Sequence, residues 1–409
     1  MNYTTEKECK THKLKKQNGF SVKINTIFTL NEAYLKLGLK DSRVKNTLKY
    51  IYSKTAGGAI FCDIYAGKCI WTALYNRNYT NNLSINMTPQ EISRYIKRKN
   101  RAFGFVPKAR LLEQKYWTNN GCLINMYDYC SIFNSYTYEL IDMIEHSIHN
   151  TNICIKFILW LKDFPIMEKN DSLKYIPIFS QSTSPGLYDI CVPNNEEWAM
   201  ISRRFYPETC NYNDIKKIID IKWTDKIEKG FFRGSGTGCC ANNPRIAISY
   251  LSKLHPQLLD AGCIKLTQRD RLENGRLLFM DPKKFTPGLV EAVPMYTWSR
   301  YKYIINIKGN GAAYRLPFLF YLGSVVLHVQ SKFVLWFEPL LINYHDYISI
   351  KEDLSNLIEV IEWCAKNDSE CKKIAANGRA FADKWFNKDS ISCYIQELCR
   401  AISPEPDAK

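Results

Sequence analysis

Two arginines, two glycine-rich turns and a lone acid are the residues of this chain whose types and spacing could do chemistry. Arg233 follows the apolar pair Phe231-Phe232 and leads into Gly234-Ser235-Gly236-Thr237-Gly238. Such a run lets backbone approach a phosphate closely, because glycine has no side chain to hold a ligand off. Further on, Gly309-Asn310-Gly311, Ala312 and Tyr314 lead to Arg315, between one apolar stretch and the next. Amide N–H groups at a strand-turn-helix junction, with a guanidinium beside them, are a standing device for holding phosphate. Either glycine run alone is a common turn, but together they point to a phosphate-bearing ligand. The two arginines would straddle a diphosphate and offset charge on a departing nucleotide. Tyr314 would stack on a base or pack in the core.

The acid is Asp163, which closes an apolar stretch in the sequence WLKDFP. A carboxylate at the carboxyl end of a buried strand can take the proton of an attacking hydroxyl. Asp-x-Pro is equally a turn former. Asp189 and its neighbour Tyr188, in LYDICVP, offer an orienting or acceptor-side contact, or a plain turn cap.

Elements of regular structure must position these groups. Residues 303–308 and 324–330 read as buried strands, with a helix over 312–322 carrying Arg315 in its first turn. Strands at 230–233, 262–266 and 346–350 alternate with helices, which predicts a parallel sheet covered on both faces. In a doubly wound sheet the ligand lies at the carboxyl ends of strands, where Arg233 and Gly309–Arg315 fall. Upstream, residues 153–161 and 176–180 read as strands. Residues 131–149 and 196–205 read as helices, and helical patterning also runs through 30–52. Residues 61–135 read as irregular, with strand-like pieces and one basic helix at 89–99. The end of the chain reads as amphipathic helices at 354–366, 370–386 and 389–402.

Composition narrows the partners. The chain has 409 residues, long for one domain and comfortable for two, and 46% hydrophobic content is enough for a full core. Its 56 basic and 40 acidic residues leave a formal charge of +16, which favours anionic partners: nucleic acid, acidic membranes or phosphorylated small molecules. The lysines are scattered, with local knots at KTHKLKK and RYIKRKNR that read as solvated faces, so nucleic acid is not the expected partner. No run of about 18 apolar residues occurs, so no membrane span is expected. No Asp-x-Asp pair occurs either, and a hard cation needs grouped oxygen ligands, so no metal or other cofactor is expected. His146 and His149 read as ordinary helix residues. The start of the chain carries no signal-peptide pattern and its end no retention signal, which predicts a cytoplasmic location. Usage rich in Lys, Asn, Ile and Tyr is that of an AT-rich genome such as a large DNA virus.

Several ordered motifs resemble glycosyltransferase family 90, which includes the Rumi-type protein O-glucosyltransferases and the fungal capsule-associated proteins. They are FILWLKDFP, IPIFSQS, LYDICVP, FFRGSGTG, KYIINIKGNGAAYRLPFLF, GSVVLHV, WFEPLL, HDYISIKEDLSNL, ANGRAF and DSISCY, spread over roughly residues 85 to 400. The resemblance implies a GT-B type α/β fold, with two Rossmann-like domains facing a cleft. Its expected division is an extension at 1–60, an acceptor-side domain at 61–225, a sugar-nucleotide domain at 226–385, and a helix and tail at 386–409 packing back on the first domain. It implies inverting, metal-independent transfer of glucose or xylose from a UDP-sugar to a hydroxyl of a protein serine or a glycan. Asp163 matches the family's base. The resemblance also implies an ER lumen location as the alternative to the cytoplasm, and bridged cysteines. Cys122 would pair with Cys130, and Cys393 with Cys62 or Cys69; the alternative is buried free thiols in a reducing compartment. Two other readings stay open: a basic nucleic-acid-binding protein, and a catalytically inactive relative that binds a glycan.

Overall fold

In the computed structural model the described residues are 11–15, 21–27, 29–37, 41–54, 58–74, 135–168, 170–202, 220–237, 243–266, 271–273, 276–278, 282–309 and 311–403. Gly238, Asn310, Cys122, Cys130 and the basic helix expected at 89–99 lie outside them. The chain divides into two compact units, one of Met1–Val192 with Ser392–Lys409, the other of Pro193–Ile391. The first boundary falls at 192/193, ahead of the 225/226 division expected from sequence. The unit starting at Pro193 opens with its own capped helix before its first strand.

The first unit is built on a seven-stranded mixed sheet ordered β1-β2-β4-β3-β5-β6-β7. The strands are β1 (Thr11–Lys15), β2 (Ser21–Ile27), β3 (Ala59–Tyr65), β4 (Lys68–Leu74), β5 (Ile155–Trp160), β6 (Ile178–Ser180) and β7 (Ile190–Cys191). Strands β3 and β4 form a hairpin, where sequence reasoning expected mostly irregular chain. Its two-residue turn, Ala66-Gly67, has both residues at positive φ (46° and 73°), the twist that antiparallel strands prefer. Helices α1 (Leu30–Lys36), α2 (Ser42–Lys54) and α3 (Ser135–Ile148) accompany the sheet. Leu48, Ile51 and Tyr52 of α2 pack with Phe61, Ile158 and Trp160 of the strands. Strands β5, β6 and β7 run parallel, so their carboxyl ends lie along one edge of the sheet.

The second unit holds a five-stranded sheet, all parallel, ordered β14-β13-β12-β8-β9. Its strands are β8 (Ile227–Gly236), β9 (Leu259–Leu266), β12 (Tyr301–Asn306), β13 (Val325–Val329) and β14 (Ile348–Ile350); β10 (Arg271–Glu273) and β11 (Arg276–Leu278) form a separate antiparallel ribbon. The helices are α4 (Asn195–Ile201), α5 (Pro244–Leu254), α6 (Leu316–Phe320), α7 (Leu357–Lys366), α8 (Asp368–Trp385) and α9 (Lys388–Ile402), the last running across the 391/392 boundary. The near-continuous apolar runs of β12 and β13 are buried, as a parallel sheet covered by helices demands. One core joins Phe232, Tyr303, Ile305, Leu327 and Ile348 of the sheet to Leu357, Ile361 and Ile374 of α7 and α8. Gly230 lets α7 come close, since a Cβ there would sit 2.8 Å from Ile361 Cδ1.

From β8 the chain passes through α5 to β9 on one side, while β12, the other neighbour of β8, passes through α6 to β13 on the opposite side. The direction of winding therefore reverses between β8 and β12. At that switch point the loops leave the strand ends in opposite directions and open a crevice, the usual ligand position of a doubly wound sheet. Helix α6 is shorter than the 312–322 span expected from its apolar content. Pro317, which has no N–H to donate, sits in its first turn, and Arg315 is the residue that precedes the helix rather than one inside it. Each of the two units is an α/β structure built on its own sheet, as the GT-B expectation requires of each domain.

Candidate functional site

The loops after β8 and β12 meet at the switch point. Strand β8 ends in a tight turn, Thr237 N–H donating to Ser235 O at 2.7 Å. Asn243 then starts α5: its Oδ1 accepts from Arg245 N–H at 2.9 Å, its amide donates to Thr237 O, and Pro244 follows at the first helical position. Arg245, which sequence reasoning missed, ties the two strand ends together. Its guanidinium donates to Ser235 O (3.1 Å), Ile307 O (2.8 Å) and Lys308 O (2.8 Å). Burial, and then the neighbouring Arg315 charge, pull its pKa down to about 9. The signal that could have found it is the Asn-Pro-Arg run, an N-cap with a cation in the first turn where the helix dipole disfavours one. A cation there needs carbonyl partners.

Gly309 sits at a close approach. A Cβ on it would lie 3.0 Å from Thr237 Oγ1 and 3.4 Å from Arg245 Nη2. Among the described residues the buried Thr237 Oγ1 has no hydrogen-bond partner. Gly234 and Gly236 are buried, Ser235 and Ala312 partly so, and Gly311 buried. Tyr314 is partly buried and its hydroxyl is shielded from solvent.

Arg315 and Arg233 are brought together, though not as two guanidiniums flanking open space. Arg315 Nη1 donates to the Arg233 carbonyl at 3.1 Å, and its guanidinium lies over the rings of Phe232 (5.1 Å) and Trp298 (5.2 Å). The Arg233 side chain turns to β9. It forms an ion pair with Asp260 at 2.6 Å, donates to Asp260 O and Phe232 O, and stacks 4.5 Å from the Phe231 ring. Tyr301 donates to the same Asp260 at 2.6 Å. Asp260 is thus a second residue that sequence reasoning missed, because only the β8–β9 ladder puts it opposite Phe231.

In the first unit Asp163 stands just past the carboxyl end of β5, exposed, in a bend. Its carbonyl accepts from Ser182 Oγ at 3.2 Å, and the following residue's carbonyl, Phe164 O, accepts from Trp160 Nε1 at 2.6 Å. Lys162 beside it is mostly packed, its ammonium 5.1 Å over the Trp160 ring, and burial pulls its pKa down to about 7. Asp189 is enclosed. Its carboxylate accepts from Ile166 N–H at 3.0 and 2.9 Å, from Met167 N–H at 2.6 Å and from Ser180 Oγ at 2.6 Å. Burial raises its pKa while these donors oppose the shift. What Asp189 holds is therefore the backbone just after Asp163. Tyr188 is exposed and its N–H donates to Met167 O at 2.7 Å. Asp163, Tyr188 and Asp189 belong to the first unit, and Arg233–Thr237 and Gly309–Arg315 to the second.

Cys62, Cys69 and Cys393 carry free thiols, so the bridge that the resemblance implied is not formed. Among the described residues no group of three or more His, Cys, Asp or Glu side chains is placed to hold a metal ion. No helix among them is long and apolar enough to cross a membrane.

Residues 126–403 match the family described as Glycosyl transferase family 90. The chain is similar to the uncharacterized protein 035R of Invertebrate iridescent virus 3, 28% identical over 71% of this chain and 29% of that protein. It is also similar to protein O-glucosyltransferase 3 of Mus musculus, 30% identical over 62% of this chain and 48% of that protein. The chain spans less than half the length of these two relatives. Among solved structures it is similar to a glycosyltransferase from Rickettsia africae, with 11% identity and a TM-score of 0.34 over 57% of this chain and 72% of the other.

Proposed function

The chain belongs to glycosyl transferase family 90, and from that premise we propose that it moves glucose or xylose from a UDP-sugar to a hydroxyl of a protein or glycan. The observation that carries the proposal is the switch point of the second unit. There two glycine turns are held together by Arg245, with Thr237 Oγ1 and Arg315 beside them. A diphosphate suits this place, since it brings acceptor oxygens to buried donors and negative charge to a pair of arginines. The name of the mouse relative supports glucose as the sugar and a protein hydroxyl as the acceptor.

In the proposed reaction the acceptor oxygen attacks the anomeric carbon from the face opposite the UDP. As the new C–O bond forms, the bond to the β-phosphate oxygen breaks and its electron pair leaves with UDP. The acceptor proton passes to Asp163, so the anomeric centre inverts in one displacement. Asp189, by holding the backbone at 166 and 167, keeps the Asp163 bend in place. Arg315 and the turn amides offset the charge that builds on the leaving diphosphate, without a metal ion.

Purified protein incubated with UDP-glucose or UDP-xylose, with and without a chelator, tests the proposal. Release of UDP that persists in the chelator is the expected result. Failure to bind or turn over either donor would overturn the reading, and loss of activity in the chelator would overturn its metal-free part.

A further inference from the structure

Asn306 closes β12 and faces His328 of β13 directly across the parallel ladder. Asn306 is fully buried, and the side chains of His328 and Glu338 are 12% and 15% exposed. Four side chains follow one another here. Arg315 Nε reaches Asn306 Oδ1 at 3.4 Å, Asn306 Nδ2 reaches His328 Nδ1 at 3.0 Å, and His328 Nε2 reaches Glu338 Oε2 at 3.1 Å. The other Glu338 oxygen accepts from Leu335 N–H at 2.9 Å, which fixes the carboxylate. The His328 ring also meets Tyr347 edge-on at 6.0 Å.

Donor and acceptor chemistry settles every proton along this row. A guanidinium N–H can only donate, so the Asn306 atom facing Arg315 is its oxygen, and its NH2 group faces His328. An amide NH2 can only donate, so His328 Nδ1 is bare and accepts. The imidazole proton then sits on Nε2 and goes to Glu338. Glu338 thus selects the tautomer, the tautomer selects the amide orientation, and the amide presents its oxygen to Arg315. Turning the amide over would set its NH2 against the Arg315 N–H, and a proton on His328 Nδ1 would face the Asn306 NH2.

We propose that Glu338, His328 and Asn306 are a positioning relay that sets the aim of Arg315 at the donor's diphosphate. This rests on the reading of the switch point given above. None of the three touches the reacting atoms; they act through Arg315.

The test is calorimetric titration of the full chain with UDP. The variants are Arg315→Ala, His328→Leu, which removes both ring nitrogens, and His328→Asn, whose side-chain oxygen can stand where Nδ1 stood. We expect His328→Leu to weaken UDP binding about tenfold, the scale of one hydrogen bond to a charged group. His328→Asn should bring it back to within about threefold of wild type. The imidazole nitrogen NMR shifts of the unmutated chain give a second readout that needs no folded variant. Nδ1 of His328 should be unprotonated and Nε2 protonated. His328→Leu binding UDP like wild type while Arg315→Ala does not, His328→Asn no better than His328→Leu, or a proton on Nδ1 would each overturn the relay alone. A wild-type chain that does not bind UDP would overturn the site reading and the relay together.

Discussion

Replacing Glu197 by glutamine should flatten the pH dependence of stability. Glu197 lies at the third position of α4, where its side chain and that of Asn194 form a reciprocal cap. It is 1% exposed, and its carboxylate accepts from Trp336 Nε1 at 3.2 and 3.0 Å and from Asn194 N–H at 3.4 Å. These donors are neutral, and they do not offset the loss of water. Burial therefore raises its pKa from 4.5 to about 8, against the opposing pull of the Trp336 and Asn194 bonds. Between those two values the unfolded chain has released the proton and the folded chain has kept it. Stability thus falls as pH rises through that window, and levels off above it. A shift of this size in a fully buried group amounts to about 3–5 kcal/mol. Glutamine keeps an oxygen for the indole and has no proton to lose. Urea unfolding of both proteins should show the variant gaining about 3–5 kcal/mol on the wild type between about pH 5 and about pH 9. Parallel stability profiles across that range would refute the reasoning, because they would mean that the folded state carries the charge without cost.

Three further outcomes are expected. Asp163→Asn should slow transfer about 10²–10⁴-fold while leaving UDP affinity unchanged, and a full rate in the transfer assay would reject Asp163 as the base. Gly378→Ala should destabilise the second unit by about 1–3 kcal/mol despite the better helix propensity of alanine. Its Cβ would stand 2.6 Å from the Asp346 carbonyl oxygen and 3.0 Å from the Phe320 ring, and a thermal melt at or above the wild-type temperature would contradict that geometry. Arg245→Met should leave the carbonyls of Ser235, Ile307 and Lys308 without their shared donor. We expect a loss of about 2–4 kcal/mol together with weaker UDP binding; intact stability by urea titration would show that the strand ends hold without it.

The glycine turns and the strands flanking them could be read from the chain, because their signals are local: apolar runs, glycine pairs and an arginine at a fixed offset. Local signals also placed Asp163 past the end of β5. What could not be read depends on which strand lies beside which. Arg233 looked free to meet a ligand because Asp260 is far along the chain and becomes its partner only through the β8–β9 ladder. His328 and Asn306 become neighbours only through the β12–β13 register. The span of α6 was overread because Ala312 and Ala313 suit a helix, while the chain uses them to carry Arg315 up to a helix that starts at Leu316. The β3–β4 hairpin went unseen because alanine rarely takes positive φ, and here the turn holds it there.

The first unit is closed by the end of the chain. Tyr394 donates to Cys191 O at 2.7 Å, Gln396 to Ser147 O at 2.7 Å, and Ser403 to Cys154 O at 3.3 Å. Backbone therefore passes between the units twice, at 192/193 and again at 391/392. A protease nick at the earlier crossing would leave residues 1–192 held to the rest only by such non-covalent contacts with 392–409. A gene fragment stopped at Val192 would express a sheet stripped of its closing helix, whereas residues 193–391 are one uninterrupted stretch whose end at 391 falls in the first turn of α9.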